Sequence, residues 1–262
     1  MAGEEKREAI AEVVAAEVIE SGSGEEVVIV EIVELEEHAK HHHDKPAPHA
    51  KHYAFRVDKT RVVVDKPLID GEQILAAVGK TPDKYKLYQH KRGHQPIQIG
   101  PKDVVDLRSP GVERFTTMPR DTTEGRADGE GMRDFRLPSS DEDYLNGLGL
   151  KWETIRDGNL RWLFVHGWKV PQGYNRDVAT LALLIPDSYS DGQIDMVYFR
   201  EHLARRDGRP IPNLANQTIC GAQWQRWSRH RRAANPWRAG VDDVASHLGL
   251  VDDWLRREFT GK

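Results

Sequence analysis

The sequence predicts an α+β protein built from two small domains in series, and three observations carry that reading. Short runs of alternating apolar and polar residues recur through both halves, each bounded by Gly, Pro or Asp. Two segments, GEQILAAVG at 71–79 and VDDVASHLGLVDDWLRREF at 241–259, have apolar residues at helical spacing instead. Between the halves, residues 121–138 (DTTEGRADGEGMRDFRLP) form a polar join with glycines at 125, 129 and 131.

Composition narrows the class. A chain of 262 residues with 38% apolar content can bury two cores. A formal charge of −4 argues against bulk electrostatic binding to nucleic acid or anionic lipid. No apolar run reaches the roughly 18–20 residues that cross a bilayer, and the opening Met-Ala-Gly-Glu-Glu-Lys lacks the apolar core of a secretory signal. One cysteine, Cys220, excludes an internal disulfide framework and fits a reducing compartment. The expected location is the cytoplasm.

Residues 4–20 have helical spacing, with Ile10, Val13, Val14 and Ile19 as a loose apolar face, and Ser21-Gly-Ser-Gly24 stops them. Val27–Leu35 reads as a strand or a short helix. The tract at 38–52 holds His38, His41, His42, His43, His49 and His52. Imidazoles bind transition metals, but the spacing is irregular and the flanks are Pro and Lys. Residues 1–52 are therefore expected to be an appendage ending in a solvated His-rich linker.

Residues 53–118 are the first domain. Tyr53–Val57 and Arg61–Val64 alternate as strands around Asp58-Lys59-Thr60. Asp70 caps the helix at 71–79, whose buried face is Ile74, Leu75 and Val78, and Gly79 ends it. Tyr85–Gln89, Ile97–Ile99 and Val104–Leu107 supply the remaining short strands. Hairpin, helix, then further strands is the order of a β-grasp fold. The run YAFRVDKTRVVVDKPLIDGEQILAAVGKTPDKYKLYQH, with VVDLRSPGVERFTT behind it, resembles the bacterial multiubiquitin domain, in one copy. That resemblance implies a ubiquitin-like modifier acting through a glycine-ending tail, which places Gly125, Gly129 and Gly131 as candidate processing points. The join at 119–136 is then either a linker or that tail, with cleavage expected after Gly131.

Residues 137–262 are the second domain. Ser140 is the expected N-cap of a short first helix. Trp152–Ile155 and Leu160–Val165 form a hairpin around Asp157-Gly158, Val178–Ile185 and Ile194–Phe199 are further strands, and the helix at 241–259 closes the domain. This layout, with LPSSDEDYLNGLGLKWE, VPQGYN, QIDMVYF, WQRWSRHR and GVDDVASHL, resembles the prokaryotic ubiquitin-conjugating-enzyme-like family E. ALLIPDSYSDGQIDMVYF and IPNLANQTIC are also similar to the Phe-Pro turn and the His-Pro-Asn-to-Cys segment of conjugating enzymes, with Ile211 where that family has His. By resemblance, Asn213 would stabilise an oxyanion and Cys220 would carry the modifier as a thioester.

The residues allow two nucleophiles. A thiolate is the reactive form of Cys220, and Arg226, Arg229, Arg231 and Arg232 come after it in the chain; a lone Cys between Ile and Gly also suits a small buried hydrophobe. Ser228 and His230 stand two apart, where a tight turn lets the imidazole serve the hydroxyl as a base, giving an oxyester carrier. The bland alternative makes His230 and its arginines a structural cluster around the tryptophans. Trp/Arg interleaving over 224–238 raises single-stranded nucleic-acid binding as a third class. The resemblances imply three protein partners: an adenylating activating enzyme of the ThiF or ubiquitin-activating type, a deubiquitinase-like peptidase, and a target. They require no metal or organic cofactor of this chain, and a non-catalytic scaffold is the alternative to a transferase.

Overall fold

The computed structural model describes residues 16–20, 26–120 and 131–260. The chain separates into two compact units, residues 1–121 and 122–262. Both mix strands with helices, and the described residues include fifteen strands and four helices. None of the helices is long and apolar enough to cross a membrane.

In the first unit, β1 (Ala16–Glu20) and β2 (Glu26–Glu34) precede a helix, α1 (Leu35–His41), and a central strand, β3 (Ala50–Val57). One edge of β3 takes the antiparallel β4 (Thr60–Val64). The other edge is shared: β2 pairs in parallel over Ala50–Ala54, and β9 (Val112–Pro119) pairs in parallel at Arg56 and Val57. The antiparallel β6 (Tyr85–Lys91) and β7 (Ile97–Ile99) lie beyond β9. Between β5 (Leu68–Asp70) and β6 lies α2 (Gly71–Ala76), and β5 pairs with β8 (Val104–Asp106). Tyr53, Phe55, Ile74, Leu87, Leu107 and Phe115 form the buried core.

Local chemistry explains these boundaries. Asp70 accepts from the Gln73 amide at 2.8 Å while the Gln73 side chain accepts from the Asp70 amide, so the expected cap is a full capping box. The helix is shorter than the spacing suggests, ending at Ala76, with Gly79 in the left-handed region three residues later. Strand β9, which the alternation does not announce, carries Arg114 and Thr117 as buried polar residues, one on each face. Thr117 is satisfied by Asp58, which accepts from its amide at 2.8 Å and its hydroxyl at 2.7 Å, while Lys80 closes an ion pair with Asp58 at 2.8 Å.

The reading of residues 1–52 as an appendage with a solvated linker is corrected over its described part. Leu35, His38 and Ala39 are buried, and α1 packs on β3 and β9. Arg56 grips Glu36 with two hydrogen bonds of 2.7 Å. The apolar stripe is there at i, i+3, i+4 spacing but is hidden by a polar and histidine-rich composition. Residues 16–20 form a strand, not the end of a helix; residues 4–15 lie outside the described residues.

The second unit is an antiparallel six-stranded sheet in the order β10 (Trp152–Asp157), β11 (Leu160–Lys169), β12 (Val178–Leu184), β13 (Asp195–Phe199), β15 (Ala222–Trp227), β14 (Leu214–Ile219). Two helices, α3 (Ser139–Gly147) and α4 (Val244–Arg257), join one face of it in a core that includes Leu145, Leu181, Phe199, Trp227, Leu248 and Leu255. The β10–β11 hairpin turns at Asp157-Gly158 as its sequence demands. The cap of α3 differs from expectation: Pro138, not Ser140, precedes the helix, and no side chain caps it. Asp141 is instead recruited inward, accepting the Tyr189 hydroxyl at 2.7 Å and the Val244 amide at 3.2 Å, so that α3, the β12–β13 loop and the start of α4 meet on one carboxylate.

Candidate functional site

Strand β15 ends on Trp227, which is fully buried against Phe199 and Tyr174, and this anchor sets the course of the next three residues. The Arg229 amide donates back to the Trp227 carbonyl at 2.8 Å, so Ser228 is the middle residue of a three-residue turn. The Ser228 amide donates to the Asn213 carbonyl at 3.1 Å, and Asn213 takes a left-handed φ of 56° just before β14. Arg229 locks the pair from outside, donating to the Pro212 carbonyl at 2.9 Å and to Glu258 at 2.6 Å. Its guanidinium also lies 5.2 Å from the Trp227 ring centroid.

His230, two residues on, is exposed, and its Nδ1 meets the Asp195 carboxylate at 2.8 and 3.1 Å. With Nδ1 engaged, Nε2 is the ring nitrogen left without a hydrogen bond among the described residues. Asn213, Ser228 and His230 all line one cleft of about 900 Å³, whose walls also include several arginines. The Ser228 hydroxyl makes no hydrogen bond among the described residues, to His230 or to any other group.

Cys220 is elsewhere. It is exposed at the tip of the β14–β15 hairpin, where Cys220 and Gly221 take φ of 48° and 73°. Two positive-φ residues in a two-residue turn define the type I′ geometry, which favours Asn-Gly. Asn213 and Cys220 sit at opposite ends of β14, about 20 Å apart at ~3.3 Å per strand residue. The arginines that come after Cys220 in sequence run away from it toward the other end of β15. Its actual neighbours are acidic: burial pushes the thiol up, and Asp157 and Asp134 push it further in the same direction. Asp157 also accepts the Cys220 amide at 2.8 Å. Replacing Cys220 with Asn should relieve the left-handed strain and raise stability by about 0.5–1 kcal/mol in urea titration; a loss of stability would show that the thiol is held by something the turn geometry omits.

Gly125 and Gly129 lie outside the described residues. Gly131 is buried against β10, where an added Cβ would collide with the Trp152 carbonyl oxygen, so glycine is required there by packing. Met132 and Asp134 exchange backbone hydrogen bonds with Thr154, continuing that attachment. Of the tryptophans proposed for base stacking, Trp227 lies in the helix-covered core, Trp224 in the cluster on the opposite sheet face, and Trp237 is half-buried with its indole N–H donating to the Ser190 carbonyl. Ile211, at the position of the family histidine, packs on the core. Asp195 is the residue that sequence reasoning missed; only its place in QIDMVYF, at the start of a strand paired beside β15, could have flagged it.

The described residues thus define a two-unit α+β protein whose second unit carries a serine, a histidine and an aspartate at the end of a sheet beside an open cleft. Residues 53–120 match the Multiubiquitin family and residues 137–258 match the Prokaryotic E2 family E, so the chain joins a multiubiquitin-type domain to an E2-like domain. No curated protein and no solved structure matches it significantly.

Proposed function

We propose that this chain is a modifier and its carrier in a bacterial ubiquitination-like pathway, with Ser228 as the acyl-carrying residue. The family matches support a β-grasp modifier followed by a conjugating-enzyme-like fold. The single observation that carries the choice of nucleophile is the Asp195–His230 hydrogen bond at 2.8 Å in the cleft that holds Ser228, set against the acidic, remote setting of Cys220.

On this reading the reaction runs in two transfers. A peptidase frees a terminal glycine within 125–131, and an adenylating activating enzyme presents it as a thioester. Ser228 Oγ attacks the glycine carbonyl while His230 Nε2 takes its proton, and Asp195 stabilises the resulting imidazolium. The thiolate leaves with that proton, an oxyester remains on Ser228, and an amine or hydroxyl of the target then displaces it. Asn213, one backbone hydrogen bond from Ser228, has an amide suited to the oxyanion.

Charging the chain with the activating enzyme, the peptidase and ATP tests this reading. The expected adduct survives reductant and is released by alkaline hydroxylamine, as an oxyester is. An adduct cleaved by reductant would return the role to Cys220, and no adduct at all would leave a docking scaffold.

A further inference from the structure

We infer that the arginine-lined wall of the Ser228 cleft recognises an acidic, glycine-ending peptide tail of the kind encoded at residues 121–131. The inference rests on the Ser228 reading for where the last carbonyl of the tail arrives, and on the wall itself for binding.

The arginines of this cleft fall into two sets. Arg205, Arg229 and Arg257 are each matched to a carboxylate, on Asp207, Glu258 and Asp253 respectively. Arg209 and Arg231 are held by longer ion pairs, Arg231 also lying 4.9 Å from the Trp237 ring centroid, and Arg232 has none among the described residues. Arg209 reaches Asp207 only at 3.9 Å, and Arg232 is exposed. Arg231 is the telling member. Its side chain is 3% exposed, yet Nε and Nη2 are buried with no hydrogen-bond partner, and its nearest carboxylate, on Asp242, stands 3.6 Å from Nη1. Burying a guanidinium with idle N–H groups is costly unless acceptor oxygens arrive to use them. The wall therefore has positive charge and unused donors in excess of what the unit satisfies.

The complementary partner is written in the same chain. Residues 121–131, DTTEGRADGEG, hold Asp121, Glu124, Asp128 and Glu130 against Arg126 alone. Gly125, Gly129 and Gly131 break up its bulk and let its backbone approach a surface closely. A cleft of about 900 Å³ lies at the upper end of the range for peptide-sized and small-molecule sites. Once processing has released Gly131 from its seat against β10, carboxylates on guanidinium groups at the cleft wall would orient the tail so that its terminal glycine lies at Ser228.

The test uses the full chain with its own tail acids neutralised (Asp121→Asn, Glu124→Gln, Asp128→Asn, Glu130→Gln), so that it cannot compete. A labelled DTTEGRADGEG peptide should bind at least about tenfold tighter than its Asn/Gln counterpart at low salt, with the gap closing as salt rises. Arg231→Gln should remove the preference, and so should the exposed pair Arg209→Glu with Arg232→Glu, which guards against misfolding of the buried variant. Equal binding of the neutral peptide, equal binding by the exposed double variant, or equal binding of a scrambled acidic peptide lacking the terminal glycine would each overturn the inference. A thioester of the same peptide separates this failure from failure of the Ser228 reading. In that reaction the Ser228 oxygen bonds to the glycine carbonyl, the C–S bond breaks and the hydroxyl proton leaves with the thiol. Acylation that needs Ser228 but is indifferent to tail charge sinks the recognition site alone. Charge-dependent binding with acylation unchanged in Ser228→Ala sinks the nucleophile alone.

Discussion

Ser228→Ala is expected to lose the covalent modifier adduct, by at least about 10³-fold in rate, while Cys220→Ala keeps it at the level of the unmodified chain. The contrast comes from placement. Ser228 shares a cleft with His230, whose imidazole is held by Asp195, whereas Cys220 sits at a hairpin tip beside Asp157 and Asp134. An alkoxide needs a base, because the serine hydroxyl is far too weak an acid alone. His230→Ala should therefore fall nearly as far as Ser228→Ala. Asp195→Asn, which keeps a hydrogen-bonding side chain but removes the charge opposite the imidazolium, should fall by about 10²–10⁴-fold. Ser228 is only half-buried and its hydroxyl has no partner among the described residues, so Ser228→Ala should shift stability by less than about 0.5 kcal/mol. Thermal melts beside the adduct assay make this checkable. The reverse pattern, an adduct that survives Ser228→Ala and vanishes in Cys220→Ala, would move the chemistry to the hairpin tip.

A second large effect is acid lability seated on His247. This residue of α4 is fully buried, donates Nε2–H to the Met196 carbonyl at 2.9 Å, and leaves Nδ1 without a hydrogen-bond partner. Burial lowers its pKa to about 4; Arg231 acts in the same direction, and the Met196 hydrogen bond and Asp195 oppose it. The unfolded chain takes up this proton near pH 6.5 and the folded chain only near pH 4, so the unfolded state binds more protons between them. Stability is complete above about pH 6.5 and is lost as pH falls toward 4, by ~3 kcal/mol from this group. Urea midpoints measured across that window should fall in the unmodified chain and fall less in His247→Gln, which keeps an N–H donor but cannot charge. Equal slopes would mean that His247 is solvated in solution. The effect reaches the site because Met196 adjoins Asp195 and takes a left-handed φ of 61° that the His247 hydrogen bond helps to hold.

The sequence made some of this legible and concealed the rest for identifiable reasons. Asp157-Gly158, the Asp70 cap and the apolar face of α4 declare themselves because each depends on neighbours within four residues. Strand β9 was hidden because its buried positions include Arg114 and Thr117, the latter a polar residue satisfied by Asp58 across the sheet from a distant turn. The β14–β15 hairpin was hidden by Asn, Gln and Thr on an edge strand and by Cys where a turn wants Asn. Ser228 and His230 were visible as a spacing, and Asn213 as part of a motif, since all three come from segments close in sequence. Asp195 was not, because it lies 35 residues from His230 and only strand pairing brings the two together. The same pairing separates Asn213 from Cys220, which are seven positions apart in a sequence that looked like one motif.

The shared edge of β3 has a consequence for whatever leaves the chain as a tag. Because β2 and β9 divide that edge, and α1 lies on β3 and β9, β2 and α1 are part of the same folded body as the strands that follow Tyr53. If the first unit is conjugated as proposed, the target would thus acquire the layer formed by β2 and α1 together with the strands that follow Tyr53. A reader domain or a peptidase that inspects the mark would meet that layer as part of its epitope.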